Sequence, residues 1–87
     1  MQFTGKEAQM TERKTIVYTQ PGCPACHHET TFLAHKGVEF EEKNVREDLD
    51  AMREMVRMGS HATPTTVIDG EVTIGFDPKR ISASLGI

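Results

Sequence analysis

Residues 14–26 read KTIVYTQPGCPAC. The first six, Lys14–Thr19, combine β-branched and aromatic side chains, the composition of a half-buried strand. Gln20-Pro21-Gly22 then breaks the extended chain. Cys23 and Cys26 follow where a helix should open. Pro24 suits the first helical position, because its missing N–H has no partner to lose there. Cys26, Thr30, Leu33 and Ala34 recur at helical spacing, and Gly37 is a plausible stop. The two cysteines therefore sit at the junction of a strand and a helix.

That placement gives the pair a chemistry. Residues three apart at a helix start share a face, with Cβ atoms roughly 5–6 Å apart, which is within reach of a disulfide. The same helix start offers unpaired N–H groups and the positive end of the dipole, and both favour a thiolate over a thiol. One thiolate attacks a partner disulfide; the second resolves the mixed disulfide and leaves the pair oxidised. Cys23, at the exposed cap, is expected to be the nucleophile. Cys26, one turn in and half covered, is expected to resolve. A disulfide across so short a loop adds little stability, so the pair reads as chemical rather than structural. C-x-x-C after a strand and opening a helix is a redox motif.

Outward from this unit, Val38–Val45 reads as a second strand, beginning with Val38/Phe40 alternation. A second helix is predicted from about Glu47 to Met58, with Leu49, Met52, Met55 and Val56 on one stripe. Asp50/Arg53 and Glu54/Arg57 form charge pairs on its wet side. Thr65–Ile68 and Glu71–Ile74 flank Asp69-Gly70, a strong hairpin signal. Asp77 is placed to cap a last helix with Pro78 at its first position, Ile81 and Leu85 inward and Gly86 closing it. The order β-α-β-α-β-β-α describes an α/β fold, a small mixed four-stranded sheet with three helices. The first β-α-β should be parallel. Residues 1–13 are polar and aperiodic and read as a flexible tail, leaving 14–87 as the domain.

Composition narrows the function. The chain has 87 residues, 10 Lys+Arg against 13 Asp+Glu and a net charge of −3. That balance argues against a nucleic-acid partner. No apolar stretch approaches the roughly 20 residues that span a bilayer, and no secretory h-region precedes the first strand. A cytoplasmic monomer, with its dithiol mostly reduced, is the expectation.

The stretches VYTQPGCPAC (17–26), ATPTTVIDG (62–70) and IGFDPKRI (74–81) resemble, in order and spacing, small glutaredoxins and glutaredoxin-like redoxins of the thioredoxin-fold superfamily. The resemblance covers about residues 15–86. It implies a thioredoxin (glutaredoxin-like) fold and a thiol-disulfide oxidoreductase with a dithiol mechanism. It further implies a cis Pro64 facing the cysteines, and a Thr63 backbone that pairs with an incoming substrate segment. Beside catalytic Cys23 and Cys26, the substrate-binding face would comprise Gln20, Pro24, Thr63, Pro64, Gly75, Phe76 and Asp77. No bound cofactor is implied. Electrons would come from NADPH through thioredoxin reductase, a flavoprotein, or through glutathione. The partners would be disulfide-containing proteins, with ribonucleotide reductase among the candidates.

The departures are specific. Gln20 stands where glutathione-using members carry a base, Ala62-Thr63-Pro64 replaces T-V-P, and Gly75-Phe76-Asp77 replaces a G-G run. The Gly-Phe-x-Pro-x-x-Ile pattern looks like redoxins served by thioredoxin reductase. Thioredoxins proper place a buried Asp at the position of Val17, so proton handling should be glutaredoxin-like. A second class of function uses the same cysteines as a metal or iron-sulfur carrier, with two of His27, His28, His35 and His61 completing four tetrahedral ligands for zinc. Outside such a site, His27 and His28 are solvated helix residues, Tyr18 is strand packing, and Phe76 is either core or an apolar floor beside the disulfide.

Overall fold

A computed structural model describes residues 14–87; the tail expected over 1–13 lies outside the described residues. The elements are β1 (Thr15–Thr19), α1 (Pro24–His35), β2 (Glu41–Asn44), α2 (Leu49–Arg57), β3 (Thr65–Ile68), β4 (Glu71–Ile74) and α3 (Pro78–Leu85). They form one four-stranded sheet in the order β2-β1-β3-β4. β1 and β2 are parallel, whereas β1/β3 and β3/β4 are antiparallel. This is the mixed α/β sheet with three helices that the sequence predicts.

Strand alternation sorts the side chains into two layers. Val17 and Ile68 point to one face, where Leu33 of α1 and Ile81 of α3 complete a core; Phe32, Val38, Phe40, Phe76 and Leu85 pack around it. Tyr18 points to the other face and meets Ala51 and Met55 of α2, with Val45 beside them. The central strand β1 is thus covered on both sides, as its nearly continuous apolar run requires. At its start, Lys14 N donates to Asp69 Oδ1 and Asp69 N to Lys14 O, tying the hairpin turn to the sheet. Asp69 and Gly70 hold φ of 51° and 88°, the pair of positive values that a two-residue hairpin turn needs.

Several boundaries differ from the sequence reading. The second strand starts at Glu41, not Val38: Val38 and Phe40 pack on the core without joining the ladder. The second helix starts at Leu49, because Asp48 Oδ1 accepts from Ala51 N and makes Asp48 the cap. Its buried residues are Ala51 and Met55, while Leu49 and Val56 are 62% and 44% exposed. The inward stripe is therefore turned relative to the expected one, toward a small alanine that hydrophobicity alone underrates. Asp50 and Arg53 do pair, at 3.7 Å. Glu54 stays partly exposed but reaches back to the sheet: its Oε1 accepts from Tyr18 OH at 2.9 Å and from Lys43 Nζ at 3.0 Å. Those two donors hold the Glu54 carboxyl below the usual carboxylate range.

The last helix matches its sequence signals closely. Asp77 Oδ1 accepts from Arg80 N at 3.1 Å, Pro78 follows the cap, and Gly86 ends the helix in the left-handed region at φ 76°. Replacing Asp77 by Ala should destabilise the fold by about 1 kcal/mol, the usual cost of a lost cap. Urea unfolding measures it, and Asp77→Asn should recover most of the loss.

Candidate active site

The site is built where β1 hands over to α1. Thr19 is the last strand residue, and the Gln20–Gly22 turn delivers Cys23 to the cap of the helix. Cys23 is half-buried with extended backbone, and its Sγ accepts from Cys26 N at 3.2 Å. The sulfur thus takes up one of the N–H groups that a helix start leaves without a partner. Charge on this sulfur is stabilised by that N–H and by the helix dipole. Cys26 is buried, 4% exposed, rather than half covered as its place one turn into the helix suggests. The two cysteines are disulfide-bonded, with Cα atoms 5.2 Å apart. The exposed partner is thus the one at the cap, and the inner one is closed to a large substrate.

A second loop faces this cap. The Thr63–Pro64 bond is cis, as the resemblance implies. Thr63 O and Thr63 Oγ1 each lie 3.7 Å from Cys23 Sγ. The loop is fixed from beneath by two fully buried hydroxyls. Ser60 Oγ and Thr65 Oγ1 are 2.6 Å apart, and both reach Ala62 O, at 3.2 and 2.6 Å. On its other side Gly75 N donates to Pro64 O at 2.8 Å. Gly75 has φ 86°, a conformation that favours glycine. The sequence reading did not single out Ser60 or Thr65; two hydroxyl residues bracketing a Thr-Pro loop were the available signal.

Gln20, Pro24, His27 and Glu42 line an open groove alongside Cys23 and Cys26. Glu42 is held in place by Thr19 Oγ1, which donates to its Oε2 at 2.8 Å. Phe76 and Asp77 each have a structural partner as well. Phe76 packs edge-to-face on Phe32, ring centres 5.7 Å apart, and lies partly buried against the core. Asp77 caps α3. His27 and His28 are both exposed on α1. Among the described residues no three of the His, Cys, Asp and Glu side chains gather as metal ligands would.

One buried group escaped the sequence reading. Glu29 is 0% exposed on the inner face of α1, with Cys26 and Leu33. Its Oε2 accepts from the Thr66 hydroxyl, while Oε1 has no hydrogen-bond partner among the described residues. The spacing Cys26–Glu29–Leu33 was the signal, a carboxyl on the buried stripe of a helix. Burial pushes its pKa up, and the Thr66 hydrogen bond opposes this in part. A carboxyl with a raised folded-state pKa stabilises the fold fully below its unfolded value and loses that contribution as pH rises through the folded one. Stability of the oxidised protein should therefore fall over that window above the ordinary carboxylate range. Urea unfolding against pH should show the decline, and Glu29→Gln should flatten it.

The glutaredoxin family model matches residues 15–73. The chain belongs to the glutaredoxin family. It is 30% identical over 66 residues to a glutaredoxin-like 8.6 kDa protein from the rubredoxin operon of Clostridium pasteurianum, covering 75% of this chain and 88% of that one. It is 34% identical over 62 residues to glutaredoxin 3 of Escherichia coli K12, covering 70% and 75% respectively. Among solved structures, the thioredoxin-like protein BC3987 superposes with a TM-score of 0.79 at 42% identity, over 82% of this chain and 99% of the other. The glutaredoxin-like Cys23–Cys26 pair gives the protein a thiol-disulfide redox role.

Proposed function

We propose that this glutaredoxin-like protein reduces protein disulfides by a dithiol mechanism, with Cys23 as nucleophile and Cys26 as resolving cysteine. The carrying observation is Cys23 itself: its sulfur accepts from the Cys26 amide at the helix cap and faces the cis Thr63–Pro64 loop. Cys23 thiolate attacks a substrate sulfur, one substrate sulfur leaves as thiolate and takes a proton, and a mixed disulfide remains. Cys26 then attacks Cys23 Sγ, the second substrate sulfur leaves, and the Cys23–Cys26 disulfide forms. Two electrons pass to the substrate. An extended substrate segment would lie along Thr63 as an added strand.

For the return of the two electrons, the groove favours a flavoprotein reductase of the thioredoxin reductase type, fed by NADPH, over glutathione. Glutathione is anionic at neutral pH. The groove offers it Gln20 where a cation would serve, and the Glu42 carboxylate close by. A substrate such as ribonucleotide reductase, a monomeric state and a cytoplasmic location fit this reading. The test is reduction of the Cys23–Cys26 disulfide by thioredoxin reductase with NADPH, compared with glutathione plus glutathione reductase. The first should be at least tenfold faster at equal concentrations. Faster reduction by glutathione contradicts the assignment of the reductant, and Glu42→Gln with Gln20→Lys should move the preference toward glutathione.

The metal-carrier reading is supported only by the softness of two thiolates. Anaerobic purification followed by metal analysis separates it from the redox reading: a colourless, metal-free protein with two titratable thiols removes it.

A further inference from the structure

Glu29 is fully buried, and the exchange chemistry described so far leaves it unused. It lies one helical turn beyond Cys26, and residues three apart on a helix share a face, with Cβ atoms ~5–6 Å apart. Glu29 thus shares the buried face of α1 with the resolving cysteine, and its carboxyl group meets Thr66 of β3. A merely structural link to Thr66 needs only one acceptor, and a neutral amide would supply it. Instead the position holds an ionisable group, one oxygen of which is buried and unpartnered among the described residues. Such an atom in a folded protein calls for an explanation.

Among the described residues, burial and the Thr66 hydrogen bond act on this carboxyl, with no charged partner beside them. Among the described residues, the strands bring two charged groups to this face of the sheet, Glu42 of β2 and Glu71 of β4, and Arg80 of α3 reaches it at Thr73. Each is engaged elsewhere: Glu42 with Thr19, Glu71 with Ser84, Arg80 with Thr73 Oγ1 and Val72 O. β1 and β3 add none, since Tyr18 points to the opposite face. Val17 is the direct cross-strand partner of Thr66. The helix therefore brings a carboxyl group to the part of the sheet where β1 itself has only an apolar side chain.

We propose that Glu29 is a positioning residue for the proton of Cys26, a buried store that accepts it when Cys26 attacks and returns it when Cys26 leaves. The proposal rests on the reading of Cys26 as resolving cysteine. In the forward step the Cys26 S–H bond breaks and its proton passes to the Glu29 carboxylate. Cys26 thiolate attacks Cys23 Sγ, the Cys23–substrate S–S bond breaks, and the substrate thiolate takes a proton from water. Glu29 is then neutral beneath a neutral disulfide, the form that burial favours. In the return step an external thiolate attacks Cys23, Cys26 leaves with the electron pair, and Glu29 gives back the proton.

The test uses the intact protein carrying thionitrobenzoate as a mixed disulfide on Cys23. Release of the coloured thiolate reports attack by Cys26 alone. Glu29→Gln preserves shape and still accepts from Thr66. It should slow release at neutral pH by about a hundredfold, as loss of a proton acceptor does. Its rate should rise only as an unassisted thiol ionises, near pH ~8.5. An unchanged rate and pH profile overturns the proposal, because a structural role would alter stability and leave that profile in place. Should the variant fail to fold, the wild-type Glu29 carboxyl carbon is followed by NMR in both redox states. Titration at different pH in the two states supports coupling to Cys26, and identical titration overturns it. The Cys26→Ser control isolates the underlying reading: if it still releases thionitrobenzoate, Cys26 is not the resolving cysteine.

Discussion

Replacing Cys23 by Ser should abolish disulfide reduction, lowering turnover at least a thousandfold, while Cys26→Ser should accumulate a mixed disulfide with substrate. The asymmetry follows from burial and position. Cys23 is half-buried at the helix cap, with its sulfur on the Cys26 amide, so it alone of the two combines thiolate stabilisation with access. A serine hydroxyl there ionises too weakly to attack a disulfide, and it cannot form one. Cys26, 4% exposed, has access only to the sulfur beside it. Without it, attack still occurs but the product cannot be released internally. Insulin reduction measures turnover, and non-reducing mass spectrometry detects the trapped adduct. Equal loss of the first step in both variants would contradict the assignment.

The second large effect concerns the platform beneath the site. Leu33→Ala should cost about 2–5 kcal/mol, the range for truncating a fully buried leucine. Leu33 is 0% exposed and joins α1 to Val17, Ile68 and Ile81. A small domain has roughly 5–15 kcal/mol in all, so this one change removes a large fraction of it. The midpoint of thermal unfolding should drop by at least about 8 °C, since each kcal/mol shifts a domain of this size by roughly 4–8 °C. Because Leu33 lies on the same helix as the cysteines, the variant should also hold Cys23 less firmly against Thr63 at temperatures where it is still folded. Calorimetry measures the first effect. A smaller change than that caused by Asp77→Ala would mean that the α1 side of the sheet carries little of the stability.

What the sequence made legible was local chemistry. Cys23-Pro24 marks a helix start, Asp69-Gly70 a hairpin, and Asp77-Pro78 a capped helix, because each rests on backbone geometry that only a few residue types satisfy. Packing direction was less legible. Val38 and Phe40 alternate as strand residues do, yet they seal a core edge, and alternation does not distinguish the two. Leu49 and Val56 looked inward by hydrophobicity, whereas the helix is oriented by Ala51 and Met55 and by Glu54 reaching Tyr18. Phe76 reads equally as core or as a floor beside the disulfide; it is partly buried, with its ring edge-to-face on Phe32. Glu29 is not marked by the sequence, because a glutamate on a helix is ordinarily solvated; its burial goes with the tertiary contact to Thr66.

The most direct measurement is the pH dependence of alkylation of the reduced protein, with the two thiols resolved by peptide mass spectrometry. Cys23 should react first, with a midpoint well below the ~8.5 of an unperturbed thiol, while Cys26 is spared until the chain unfolds. Preferential labelling of Cys26, or a Cys23 midpoint at the ordinary thiol value, would contradict the account of Cys23 as the helix-capping nucleophile.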